Sequence, residues 1–228
     1  MSIKEIFKQE DILFSDQDFI VVNKKSFQPV VPDKTGDPSL LEDLIKSGLI
    51  EKSAAPVHRL DRPVRGVVLF ARTARGLTEA NRMLKGRFIK KTYLAVLENR
   101  PAEKSGTLKN HLLKSRSGNK SKILPEQGPD TREAILDYVI IGNTERYTMV
   151  RINLITGRHH QIRAQFSHIG CPIKGDIKYG SKRTNREGGI MLFAGSLSFT
   201  HPFNGSNLLI KAPLPEGALW GCFPDNVL

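Results

Sequence analysis

The sequence predicts an α+β fold, a mixed, largely antiparallel sheet flanked by helices and loops. Two observations predict it. Strand-length apolar runs outnumber helical stripes, and the two do not alternate in the order a doubly wound parallel sheet needs. No internal repeat and no clear linker divides the 228 residues, so a single domain over 1–228 is expected, long enough for a substantial core.

The elements follow in order. Ile12-Leu13-Phe14 and Phe19-Ile20-Val21-Val22, separated by Ser15-Asp16-Gln17-Asp18, predict a hairpin. Pro29, Pro32, Gly36 and Pro38 mark a loop. Ser39 followed by Glu42 is a capping-box pattern, and Leu40, Leu41, Leu44, Ile45 and Leu49 carry the helical stripe behind it, ending around Gly48. Val67–Ala71 reads as a buried strand. Leu77, Ala80 and Leu84 predict a helix over 75–85, and Lys91–Leu97 the next strand. From 101 to 132 the chain is polar, and Lys109, Lys114, Arg116, Lys120 and Lys122 make it a basic loop that could close over a phosphate backbone. Strands are expected over 134–141 and 147–154, and a helix over 158–169 with Ile162, Phe166 and Ile169 as its buried stripe and Gly170 as its stop. Short separate strands at 190–194, 197–200 and 208–211 precede an irregular tail.

Hydrophobic residues make up 39% of the chain and charged residues 25%, which fits a globular protein and argues against disorder. No apolar run approaches the roughly 20 residues that span a bilayer, and the first residues lack the apolar core of a secretory signal. Two cysteines, Cys171 and Cys222, are too few for a disulfide scaffold and lack metal-ligand spacing. A reducing, cytoplasmic setting without a membrane partner is expected. The net charge of +12 points to a polyanion, with nucleic acid first.

Two constellations carry chemistry. In His58-Arg59-Leu60-Asp61-Arg62-Pro63-Val64-Arg65-Gly66, one carboxylate sits among three arginines, in a loop delivered by a buried strand. Such cations are expected to keep Asp61 ionised. The bland alternative is a surface ion pair. In Thr156-Gly157-Arg158-His159-His160-Gln161-Ile162-Arg163, cations crowd the expected start of a helix, where they oppose its dipole unless an anion binds. Residues 159 and 163 are four apart, on one helical face. Adjacent histidines with no H-E-x-x-H pattern argue against a metal site. A ribonuclease using His159 or His160 is a rival, and histidines serving only structure or anion contact are another.

Together these stretches resemble the RluA-type pseudouridine synthases. The resemblance rests on HRLDRPVRGVVLFART at 58–73, KKTYLAVLEN at 90–99, TGRHHQIRAQFSHIGCPIKGDIKYG at 156–180, LFAGSLSFTHP at 192–202 and the early VVNK at 21–24. It covers nearly the whole chain. It implies a pseudouridine-synthase sheet with a central active-site cleft, and isomerisation of uridine in structured RNA, tRNA or rRNA, with no cofactor and no metal. Asp61 resembles the catalytic aspartate, Tyr93 the active-site tyrosine that stacks on the base, and Arg163 the arginine that pairs with the aspartate. Arg158 is a helper, Arg59 resembles the residue that displaces the target base, and Leu192 and Phe193 match an apolar wall. His58, Arg62, Arg65, His159 and Gln161 complete the expected substrate-binding set. Two departures stand out. Arg65 occupies a position where most members carry a small Ser or Thr, and VVNK is followed by Lys25 and Ser26 where Pro and Gly are usual. Many relatives carry a separate N-terminal RNA-binding domain, which is not expected here, and a monomer is expected. The alternative reading is a catalytically inactive RNA-binding or RNA-folding protein on the same scaffold.

Overall fold

The computed structural model describes residues 9–115, 119–185, 188–224 and 227–228. The α+β expectation holds. The chain forms two compact units, Met1–Ile89 with Ser196–Ala212, and Lys90–Gly195 with Pro213–Leu228.

In the first unit, β1 (Ile12–Ser15) and β2 (Phe19–Lys24) form the expected hairpin, and β2 pairs antiparallel with β4 (Arg65–Ala71). A two-residue strand not foreseen, β3 (Ala55–Pro56), also pairs with β4. Phe19, Val21, Val68, Leu69 and Phe70 lose essentially all solvent contact, so this is a sheet buried on both faces. Helix α1 (Leu40–Lys46) starts at the predicted capping box, with Ser39 Oγ accepting from Glu42 N and Glu42 Oε2 from Ser39 N. Helix α2 (Ala74–Lys85) is capped by Thr73. Its buried stripe is Gly76, Ala80 and Met83, not Leu77, Ala80 and Leu84. The reason is close approach: a Cβ on Gly76 would stand 2.8 Å from the Asp18 carbonyl oxygen. Asp18 itself accepts a fork from Arg75, which holds its carboxyl below the usual range. Strand β11 (Asn207–Lys211) pairs with the later half of β10 (Leu192–Thr200), and Phe19, Phe199, His201 and Phe203 pack their rings together. The expected break between 194 and 197 is absent; β10 is one strand.

In the second unit, β5 (Lys90–Leu97) pairs with β9 (Thr148–Leu154), β9 with β8 (Thr131–Asn143), β8 with β6 (Ser105–Lys114), and β6 with β7 (Ser121–Leu124), all antiparallel. About half of the expected basic loop over 101–132 is therefore sheet. Its polar residues alternate between half-buried and exposed along β6, the pattern of a strand with one wet face. Arg116 lies outside the described residues. Helix α3 spans Gln161–His168, later than the expected 158, and is buried on nearly every side from Gln161 to Phe166. Ile169 is instead exposed, beyond the helix end, while Gly170 adopts φ +73 as the expected stop.

Candidate active site

The Asp61 loop is tied down from below by Lys24, the last residue of β2. Lys24 is buried, and its Nζ donates to the carbonyl oxygens of Lys25 (2.8 Å), Gln28 (2.8 Å) and Arg62 (3.2 Å). Three acceptors match the three N–H bonds of an ammonium. Burial pulls the Lys24 pKa down to about 7, and the negative charge of Asp61 opposes that fall, with Arg62 and Arg65 adding to it. Lys24 thus shares one electrostatic neighbourhood with the expected carboxylate. The sequence analysis quoted it only as part of VVNK and gave it no role. A lysine that closes an apolar strand is the signal that was available.

Around it, Asp61 is half-buried, and its carbonyl accepts from Val64 N at 2.9 Å, which closes the turn before β4. Gly66, opposite Lys24 in the β2–β4 register, takes φ +115, which only glycine adopts without strain. His58 Nε2 accepts from Leu69 N at 3.3 Å, so this histidine braces the strand. Arg59 is exposed. Arg62 donates to Thr35 Oγ1 at 2.6 Å and to Asp37, anchoring the loop to the 33–37 segment. Arg65 Nε donates to Ser26 Oγ at 3.1 Å, and Ser26 Oγ donates to the Pro63 carbonyl at 3.2 Å. The two departures at positions 65 and 26 therefore bond to each other.

In the second unit, Tyr93 is buried on β5 opposite Ile152, and Leu192 and Phe193 are buried at the start of β10, with Phe193 edge-on to Trp220. Lys91, on the same strand as Tyr93, has its pKa lowered by burial. Arg163 is buried and forms a bidentate pair with Asp176 (Nε–Oδ2 2.7 Å, Nη2–Oδ1 2.8 Å), with its guanidinium 4.9 Å from the centre of the Tyr179 ring. Asp176 and Tyr179 were not singled out from sequence, although both lie in the quoted 156–180 stretch.

The 156–160 segment is a turn before α3 and not its first turn, so residues 159 and 163 do not share a helical face. Gln161, expected to bind substrate, is buried in this turn. Its Oε1 accepts from Thr156 Oγ1 and Arg158 N, and its Nε2 donates to the Ile135 carbonyl. Arg158 Nε donates to the Glu133 carbonyl. His159 meets Ser121 Oγ at 3.0 Å and Asn119 Oδ1 at 2.9 Å, and stacks on His160 at 3.8 Å. His160 sits at φ +52 in the N-cap position. The Tyr179 hydroxyl accepts from Ser121 N and lies 2.9 Å from His160 Nδ1, within hydrogen-bond reach. Burial, with Arg163 and His159 nearby, pushes the His160 pKa down to about 2. A histidine held neutral with Nδ1 occupied is poorly placed to be the acid of a ribonuclease.

Among the described residues there are three α-helices, and no helix is long and apolar enough to cross a membrane. Both cysteines are free thiols.

The chain is similar to known proteins in sequence and in fold. In sequence, the chain is 29% identical over 217 residues to the uncharacterized RNA pseudouridine synthase YlyB of Bacillus subtilis, covering 90% of this chain and 69% of that one. It is 32% identical over 213 residues to the ribosomal large subunit pseudouridine synthase C of Buchnera aphidicola (89% and 66% covered), and 31% identical over 221 residues to the protein of that name from Escherichia coli (90% and 67%). The chain thus spans about two thirds of the length of these relatives. Its fold is similar to the human RNA pseudouridylate synthase domain containing 1, with a TM-score of 0.74 at 24% identity, covering 90% of this chain and 85% of that one. It is also similar to the human domain containing 4, with a TM-score of 0.72 at 22% identity and coverage of 90% and 89%. The RNA pseudouridylate synthase family profile matches residues 18–168, about two thirds of the chain, and the protein belongs to that family of isomerases.

Proposed function

We propose that the protein isomerises uridine in structured RNA, tRNA or rRNA, to pseudouridine, with Asp61 as the essential carboxylate and without a cofactor. The observation that carries the reading is the half-buried Asp61 loop held by the buried Lys24 ammonium, in a chain that belongs to this family. The reaction breaks the bond from the anomeric carbon to the base nitrogen, turns the uracil, and rejoins it through a ring carbon, which then loses its proton while the freed ring nitrogen takes one up. No atom is gained or lost. A target base in a stack must first be extruded. A carboxylate serves either by attack on the anomeric carbon or by taking a sugar proton, and both routes need it charged and oriented. In this reading Tyr93 stacks on the base, Arg163 steadies the carboxylate, and the partner is RNA bound by a cytoplasmic monomer acting as a single catalytic domain. Arg59 displaces the target base; Arg158, His58, Arg62, Arg65, His159 and Gln161 support binding, and Leu192 and Phe193 wall the pocket.

The inactive-binder alternative drew on Arg65 and on Lys25-Ser26. The hydrogen bond between Arg65 and Ser26 favours the enzyme, because the bulky cation is accommodated by the altered loop. Asp61→Asn is the test. Total RNA from a strain lacking the gene is incubated with each protein, and its pseudouridines are mapped chemically. Wild type restores the missing sites and Asp61→Asn restores none. Restoration by the variant would refute the assignment, and an unchanged map in the deletion strain would favour the binder.

A further inference from the structure

Phe27 is an oddity in the first unit. The residue is 54% exposed and its backbone sits at φ +62, a conformation that costs an L-residue with a bulky side chain of order 1–2 kcal/mol. Such a residue persists where the surroundings over-determine it. Here they do. Lys24 Nζ grips the carbonyls on both sides of the turn, at Lys25 and Gln28, and the same nitrogen holds Arg62 O of the Asp61 loop. Ser26 bonds Pro63 and Arg65, and Gln28 Nε2 donates to Asp43 of α1 at 2.7 Å. The turn is thus fastened to the Asp61 loop at several points and presents one large aromatic face to solvent. Its cationic neighbours are Lys25, Arg62 and Arg65. Lys25 pairs with Asp11, and Arg62 with Asp37.

We propose that Phe27 is a stacking platform for an unpaired RNA base next to the target uridine, and so a specificity-determining residue for looped over fully paired RNA. An exposed aromatic on a rigid turn amid arginines and lysines is what single-stranded nucleic acid uses, because every base has a π-face. A protein partner would also value an exposed Phe, but the +12 charge of the chain favours a polyanion. The inference rests on the RNA reading above.

The test uses the full chain and two labelled RNAs of equal length, a hairpin with a uridine-rich loop and a complete duplex, with fluorescence anisotropy at fixed salt. Wild type binds the hairpin more tightly. Phe27→Gly and Phe27→Ala raise the hairpin Kd by about 5- to 150-fold, the range for loss of one stacked base, with little change for the duplex. Phe27→Trp keeps the affinity, and its added fluorescence is quenched by the hairpin. Glycine suits φ +62, so Phe27→Gly is expected to hold or raise Tm, which separates lost binding from lost folding. Equal hairpin affinity in Phe27→Gly and wild type overturns the proposal, as does equal weakening on both RNAs. Failure of the enzymatic reading is separate: it shows as an unchanged pseudouridine map, whatever Phe27 does.

Discussion

Arg163 and Lys24 are both buried cations, and they are satisfied in opposite ways. Arg163 gives a fork to the Asp176 carboxylate and lays its plane on the Tyr179 ring. Lys24 gives its protons to three neutral carbonyls, so its charge is not cancelled by the groups it bonds and acts on Asp61. An ion pair cancels charge where it is made while it holds structure. A cation solvated by carbonyls holds structure and also leaves a field for a reacting carboxylate to use. The comparison predicts that damage to the first is read mainly in stability, and damage to the second also in pH dependence.

The largest effect is expected at the Arg163–Asp176 pair. Asp176→Ala takes the bidentate carboxylate from a buried guanidinium and should cost about 3–5 kcal/mol of stability. Urea denaturation with Asp176→Asn alongside checks it, since the amide keeps the shape and part of the hydrogen bonding. A loss under about 1 kcal/mol for Asp176→Ala would mean that Arg163 is held by something else.

Lys24 comes next, through pH. Its pKa is depressed from an ordinary 10.5 to about 7. Below about 7 the ammonium is charged in both the folded and unfolded chain, and its burial cost is carried in full. As pH rises from about 7 toward 10.5, the folded protein releases a proton that the unfolded chain keeps, so stability rises. The contribution between pH 7 and pH 9 is about 2 kcal/mol. Lys24→Met, which cannot titrate, should lose that increment while other groups titrate as before. Parallel pH profiles for the two proteins would remove the charge from Lys24 and leave it a mere tether.

The same contrast explains what could be read from sequence. The capping box at Ser39 and Glu42 was legible because both partners lie within one turn. The strands around Val21 and Val68 were legible because burial on both faces leaves a continuous apolar run. Strands β6 and β7 were not, because their Lys, Ser and Asn residues keep one face wet and the pairing with β8 is what makes them strands. The start of α3 was misplaced because Thr156 and Gln161 satisfy the preceding turn by side-chain bonds, and His160 takes a left-handed backbone that composition does not announce. Asp61 stood out as the lone carboxylate in an arginine-rich loop. Lys24 did not, since a strand-ending lysine looks solvated until two carbonyls of the following turn and one from the distant Asp61 loop close over it.

The smallest effect concerns the outer link of the Lys24 region. Arg65 Nε to Ser26 Oγ is a partly exposed hydrogen bond with one charged partner, so Ser26→Ala should cost about 0.5–1.5 kcal/mol. The single variant is ambiguous, because Ser26 also donates to Pro63 O. A double-mutant cycle with Arg65→Ala resolves it, since only the shared bond appears as coupling. Coupling of about 1 kcal/mol is expected. If the two losses simply add, the residues at 26 and 65 are independent departures, and the turn bearing Phe27 is held by Lys24 without help from Arg65.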